Sequence, residues 1–339
     1  MSKVQVGVIG CGHWGPNHIR VFSQLRESEV VAIADLDQKR LNSINEQYPH
    51  AKPYRDHRQL LDEAKVDAVV VAAPTRAHYK IVKEALEAGK HVLCEKPLCP
   101  TTAETRELVA LAASKGLILM VGHVFIFNSG ILKLKELMRF KEVGRPHYLR
   151  ALRTNLGPIR DDVNCVLDLA THDISIFNFL LEACPESVSA VGGAFLRENI
   201  EDVAFITLRY PNNILASIQV SWLDPKKLRE IVVVGDQKMV VWDEMSPAGP
   251  IIIYDKGVVR EPYYDDYGQF HLLSREGDIT IPKVKLEEPL KAQNRHFLRA
   301  IQDGNLSMND GVFAIGVSRV LDAINTSLKQ QGASIPVER

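Results

Sequence analysis

Two short segments of this chain carry the side chains best suited to moving a proton. In Glu95-Lys96-Pro97 an ammonium follows directly on a carboxylate, just past the apolar run His91–Cys94. In Asp168-Leu-Ala-Thr-His172 a carboxylate precedes an imidazole by four residues, a spacing that puts both on one face of a helix and in one charge field. Dehydrogenating an alcohol carbon requires a base for the hydroxyl proton, a cation for the charge that develops on oxygen, and a hydride acceptor. His172 suits the first task, since imidazole titrates near neutrality. Lys96 suits the second and is the alternative base. Asp168 would orient His172, with the neighbouring Asp173 a competitor for that part.

A third segment supplies a place for the hydride acceptor. Gly10, Gly12 and Gly15 form G-x-G-x-x-G between an apolar run, Val4–Ile9, and a helical pattern. Such glycines permit a tight turn, close approach of backbone to a pyrophosphate, and close packing of helix on strand. The helix N-terminus then offers free N–H groups to the phosphates. Asp35 ends the next apolar run, 25 residues beyond Gly10, near the ~20 expected of a ribose-binding carboxylate. A carboxylate there binds a 2′-hydroxyl and repels a 2′-phosphate, which favours NAD. Lys39 and Arg40, just downstream, can accommodate a phosphate, so NADP stays open.

These segments sit in a regular frame. Over the first 120 or so residues, short β-branched runs alternate with helical patterns, which predicts a doubly wound parallel sheet, an N-terminal Rossmann fold. After Gly122 the rhythm changes to a few helices and then strand after strand from Val188, which predicts an α+β domain with an open, largely antiparallel sheet. The expected division is 1–122 for the dinucleotide and 123–339 for substrate and oligomerisation. An open sheet presents a face that must be covered, so a homodimer or homotetramer through that sheet is expected.

Composition narrows the function classes. With 41 basic against 42 acidic residues and a net charge of −1, the chain shows no basic excess pointing to nucleic acid or an anionic membrane. No stretch approaches the ~20 apolar residues of a membrane span, and no leader pattern is seen at the start, so a cytoplasmic protein is expected. The five cysteines include no Cys-x-x-Cys and are expected to be reduced, with no metal site.

Taken together, the glycine loop, Ala73-Pro74-Thr75-Arg76-Ala77-His78, Glu95-Lys96-Pro97 and Asp168-Leu-Ala-Thr-His172-Asp resemble the glucose–fructose oxidoreductase/inositol dehydrogenase (Gfo/Idh/MocA) family along essentially the whole chain. The resemblance implies a nicotinamide-dependent oxidoreductase with Lys96, Asp168 and His172 around the reacting carbinol. It implies cofactor contacts from the loop, His13 and Trp14 included, and from Asp35, Pro74, Thr75, His78, Glu95 and Lys96. His123 and Asn128 resemble positions facing substrate or nicotinamide. Arg153 and Asn155, in Arg150-Ala-Leu-Arg153-Thr-Asn155-Leu-Gly-Pro-Ile-Arg160, could hold a carboxylate or diphosphate.

That last segment and Gly-His-Trp-Gly-Pro-Asn are most similar to members that oxidise C3 of a UDP-linked N-acetylamino sugar or its uronic acid. Inositol or free-sugar dehydrogenation is the nearest alternative. A third is glycoside cleavage through transient C3 oxidation on bound NAD. Two readings of other classes explain less. A non-catalytic dinucleotide-binding regulator leaves Lys96, Asp168 and His172 without purpose, and a metal hydrolase on His123, His172 and Asp173 leaves the glycine loop unexplained.

Overall fold

The computed structural model describes residues 3–160, 162–262, 270–306 and 308–338. The chain forms two compact units, Met1–Phe127 with Glu287–Asp322, and Asn128–Leu286 with Ala323–Arg339.

The first unit is built on six parallel strands: β1 (Val4–Ile9), β2 (Ser28–Ala34), β3 (Lys52–Tyr54), β4 (Ala68–Val71), β5 (His91–Cys94) and β6 (Leu119–Val121). Five helices alternate with them: α1 (Gly15–Gln24), α2 (Gln38–Gln47), α3 (His57–Glu63), α4 (Thr75–Glu87) and α5 (Thr102–Ser114). The strands are near-continuous apolar runs because helices cover both faces; all four residues of β4 are buried. The order β3-β2-β1-β4-β5-β6 reverses between β1 and β4. In an open α/β sheet, ligands bind outside the carboxyl ends of the strands at such a reversal.

The second unit opens with α6 (Ser129–Arg139) and β7 (Pro146–Leu156). A π turn, Val166–Ala170, then runs directly into α7 (Thr171–Leu181). The strands β8 (Ser187–Gly193), β9 (Val203–Tyr210), β10 (Ile214–Ser221), β11 (Leu223–Gly235), β12 (Met239–Asp243) and β13 (Ile251–Tyr254) follow. β14 (Gly257–Pro262) and β15 (Phe270–Arg275) pair separately, and β16 (Ile279–Thr280) precedes α8 (Pro289–Asp303), α9 (Gly311–Lys329) and β17 (Ile335–Pro336). The main sheet has nine strands, ordered β16-β13-β12-β11-β7-β10-β9-β8-β17, antiparallel except where β10 lies parallel to β7. Along β9, Ala204, Ile206, Leu208 and Tyr210 point inward while Phe205, Thr207 and Arg209 are exposed. That alternation marks one covered face and one open face.

Two expectations are corrected. The central strand β7 falls where the sequence reads as a cluster of arginines, because its inward side is partly polar. The expected division after residue 122 misses that 123–127 and 287–322 belong to the first unit. Polar links hold the returning segment there. Asn294 meets His18, Ser318 Oγ lies 3.0 Å from Thr105 Oγ1, and the Asn309 amide donates to the Val121 carbonyl. Periodicity shows that α8 is amphipathic but not that it packs on α1 and the turn Val124–Phe127.

Candidate functional site

In the first unit the glycine loop lies at the strand-order reversal. Gly10 adopts φ +100°, and a Cβ there would stand 2.5 Å from the Ala72 carbonyl oxygen. A Cβ on Gly15 would come within 1.9 Å of the Gly10 carbonyl oxygen, so this helix start also requires glycine. At Gly12, by contrast, the only atom within 4 Å among the described residues is Arg40 Nη1, at 3.7 Å. That flank leaves room for a ligand.

Helix starts make the same distinction. Asp37, Asp56 and Thr101 cap α2, α3 and α5 with their own side chains. α1 and α4, which follow the two strands at the reversal, have no side-chain cap. Their first N–H groups are left for an anion. Asp35 is fixed at the loop's edge, its Oδ2 accepting from Cys11 N at 2.6 Å and its Oδ1 from Asp37 N at 2.8 Å. Trp14, 38% exposed, stands edge-on to His13 beside the loop. Pro74 and the buried Thr75 form the uncapped start of α4. The ring nitrogens of His78 lie 2.9 Å from the Pro97 carbonyl and 2.8 Å from the Ala73 carbonyl, so it links the loops after β4 and β5.

Glu95, partly buried, and Lys96, buried, follow β5 and lead into a cis Lys96–Pro97 bond. Burial by itself would push the Glu95 carboxyl up, but the His18 hydrogen bond (2.9 Å) and the Lys96 charge hold it below its usual range. His123, after β6, is buried and edge-on to Phe313, and its Nδ1 has no hydrogen-bond partner. An orphaned buried nitrogen of this kind suits a ligand's polar group. Burial first, and the Lys96 charge second, depress the His123 imidazole to about 3. It is therefore neutral at working pH and can donate or accept but not carry a charge.

This has a consequence for stability. Unfolded His123 takes a proton below about pH 6.5 whereas folded His123 does not until about 3. Since the unfolded state then binds more protons, stability falls as pH falls through that window, by about 1.4 kcal/mol per pH unit from this group. His123→Gln is expected to lose about 2 kcal/mol less than wild type between pH 7 and 5 in urea unfolding. Equal losses in the two proteins would show that His123 is not buried neutral.

In the second unit, Asp168 lies on the π turn and His172 in the first turn of α7. π turns recur at functional sites. Asp168 is half-buried, with Oδ1 3.2 Å from Arg160 Nη1 and Oδ2 3.2 Å from Trp222 Nε1. Asp173 does not compete for its place. It is 1% exposed and bound by Arg153 through three hydrogen bonds of 2.8–3.1 Å. Arg153 itself is 2% exposed, so its fork faces Asp173 and not a pocket. Asn155 donates to the Gly157 carbonyl. Asn128 caps α6: its Oδ1 accepts from Gly130 N (2.9 Å), Ile131 N (3.4 Å) and Trp242 Nε1 (3.2 Å).

Three residues at these places escape the sequence reading: His18, Asn294 and Trp222. His18 lies in the buried stripe of α1, and a histidine inside an apolar stripe was the signal available. All five cysteines are free thiols, and no group of three or more His, Cys, Asp or Glu among the described residues is arranged to hold a metal ion. No helix is long and apolar enough to cross a membrane among the described residues.

The strand order, its reversal and the uncapped helix starts define a dinucleotide-binding fold. Residues 4–123 match the model of an oxidoreductase family with an NAD-binding Rossmann fold, and residues 131–241 that of the GFO/IDH/MocA C-terminal domain. The chain is 30% identical over 295 residues to the myo-inositol 2-dehydrogenase of Thermotoga maritima, covering 83% of this chain and 86% of that one. It is 27% identical to the UDP-N-acetylglucosamine 3-dehydrogenase of Acidithiobacillus ferrooxidans, over 77% and 80% of the two chains. Its fold matches that of GenD2 from gentamicin A biosynthesis, solved with NAD, at a TM-score of 0.84 and 21% identity, covering 100% and 97%. The chain belongs to the Gfo/Idh/MocA oxidoreductase family, and its first unit is an NAD-binding domain.

Proposed function

We propose that this protein oxidises a secondary hydroxyl of a sugar with NAD, and that the sugar is a UDP-linked N-acetylamino sugar or its uronic acid, oxidised at C3. The observation that carries the chemistry is the prepared carboxylate Asp168, held by Trp222 and Arg160 one turn before His172. His172 takes the hydroxyl proton, and Asp168 favours the imidazolium that results. The Lys96 ammonium donates to the same oxygen and stabilises its developing charge. Bound NAD supplies the hydride acceptor. Its pyrophosphate would rest on Gly10–Gly15 and its ribose on Asp35, which disfavours a 2′-phosphate.

For the substrate, similarity to the Acidithiobacillus ferrooxidans UDP-N-acetylglucosamine 3-dehydrogenase supports the nucleotide-sugar reading; the Arg160 fork itself is held by Asp162 at 2.9 and 2.7 Å, with Nη1 on Asp168. Similarity to the Thermotoga maritima inositol dehydrogenase favours a free polyol as the second reading. We place the protein in the cytoplasm, where its five thiols stay reduced. A second copy would cover the open sheet face around Tyr148, Phe205 and Leu215, all exposed.

The test is reduced-cofactor absorbance with the purified protein, NAD or NADP, and a panel of UDP-amino sugars, their uronic acids, inositols and free sugars. A UDP-sugar with NAD should give the highest kcat/KM, from a dimer or tetramer by sedimentation. Preference for inositol would overturn the substrate, and preference for NADP the Asp35 argument. Cleavage of a chromogenic glycoside without free reduced cofactor would reassign the reaction.

A further inference from the structure

A line of buried polar side chains in the first unit leads to Glu95. His18 on α1 is 0% exposed, with its ring stacked on Phe22. Its Nε2 lies 2.9 Å from Glu95 Oε1 and its Nδ1 3.3 Å from the amide nitrogen of Asn294 on α8. The Gln293 amide in turn donates to Asn294 Oδ1 at 3.4 Å, which turns the Asn294 nitrogen toward the histidine. Nδ1 therefore accepts, and Nε2 carries the proton that it donates to Glu95. The second carboxylate oxygen accepts from Lys96 N at 3.3 Å. Behind the carboxylate, Gly122 has no side chain, and a Cβ there would lie 3.3 Å from Glu95 Oε1. Gln293 and Asn294 are fully buried as well.

We propose that His18 is a positioning residue that acts through Glu95: it holds the carboxylate in place and ionised beside Lys96, so that Lys96 meets the substrate oxygen as an ammonium. This rests on the role given to Lys96 above. The physical need is plain. A buried carboxylate without a donor takes up a proton, and a buried lysine without a counter-charge gives one up. Among the described residues, the charged or titratable groups facing Glu95 are His18 from α1, Cys94 and Lys96 on either side of it and His123 after β6, and burial keeps the Cys94 thiol protonated. His123 is kept neutral by burial, so His18 and Lys96 are the partners that matter.

The experiment compares His18→Phe, which keeps the ring stack but removes the donor, with His18→Gln, which places an amide donor where Nε2 stood. In His18→Phe, infrared spectra of the protein without cofactor at neutral pH should show a new protonated-carboxyl band that Glu95→Gln in the same background removes. The alkaline limb of kcat should move down by at least about one pH unit, and kcat at neutral pH should drop about tenfold or more. His18→Gln should lack the band and recover most of both. No band and an unmoved limb in His18→Phe, or no recovery in His18→Gln, overturns the proposal. Should His18→Phe fail to fold, Asn294→Leu, which frees the other tautomer of His18, takes its place; an unmoved limb there is equally fatal. A turnover-competent Lys96→Met would instead refute the reading of Lys96, and the carboxyl band would still be read on its own.

Discussion

Lys96→Met is expected to lower kcat about 10³-fold while the NAD dissociation constant, followed by fluorescence titration, changes less than about threefold. Methionine keeps the length and most of the apolar stem of lysine, so the buried space around residue 96 stays filled. What is lost is one positive charge at the oxygen that becomes negative as its proton passes to His172, an interaction stronger in the transition state than in the ground state. Losses of that kind fall on kcat and leave binding nearly intact. NAD binding is spared because the glycine loop, Asp35 and the starts of α1 and α4 make no use of the lysine charge. Glu95 also keeps its hydrogen bond from His18. His172→Ala should lose a similar factor for a different reason, the absence of a proton acceptor, and should respond to added imidazole where Lys96→Met does not. Full turnover in both variants would remove the chemical assignment altogether.

Much of the first unit was legible because its strands are buried on both faces and read as unbroken apolar runs, and because glycine is the only residue that fits at Gly10 and Gly15. Asp35 was legible for a related reason: its position at the end of β2 is fixed by the sheet, not by a distant partner. The residues that misled are those whose role depends on contacts far away in sequence. Arg153 could face a ligand or the interior, and only the register of β7 against its neighbours, with Asp173 twenty residues on, places it inside. Asn128 had a local signal, an asparagine just before the apolar pattern of Ile131, Leu134 and Leu137, which is a helix-start signature. Its third bond, from Trp242, is 114 residues away and could not be read. His18 and Asn294 are separated by 276 residues, and the return of α8 to the first unit leaves no trace in local pattern.

Arg153→Met is expected to destabilise the protein by about 3–5 kcal/mol, because it leaves the Asp173 carboxylate buried and without its fork. Urea unfolding reads this directly. Arg153→Lys should recover little, since an ammonium cannot reproduce the Nε and Nη2 contacts to both carboxylate oxygens. In Arg153→Met/Asp173→Leu, by contrast, the buried charges vanish together and apolar packing replaces them, so most of the stability should return. Turnover separates stability from placement. Asp173 directly follows His172, and its three bonds to β7 fix the first turn of α7, where the π turn ends. Without that anchor the imidazole is free to shift by an ångström or so, a displacement that can cost about 10²-fold in rate. The double variant should therefore be nearly as stable as wild type yet turn over about 10- to 100-fold more slowly. If its rate returned along with its stability, the Arg153–Asp173 pair would be a packing device and nothing more. A stable, slow double variant would mean that a buried ion pair was kept here for the placement of His172, at some expense in stability relative to an apolar core.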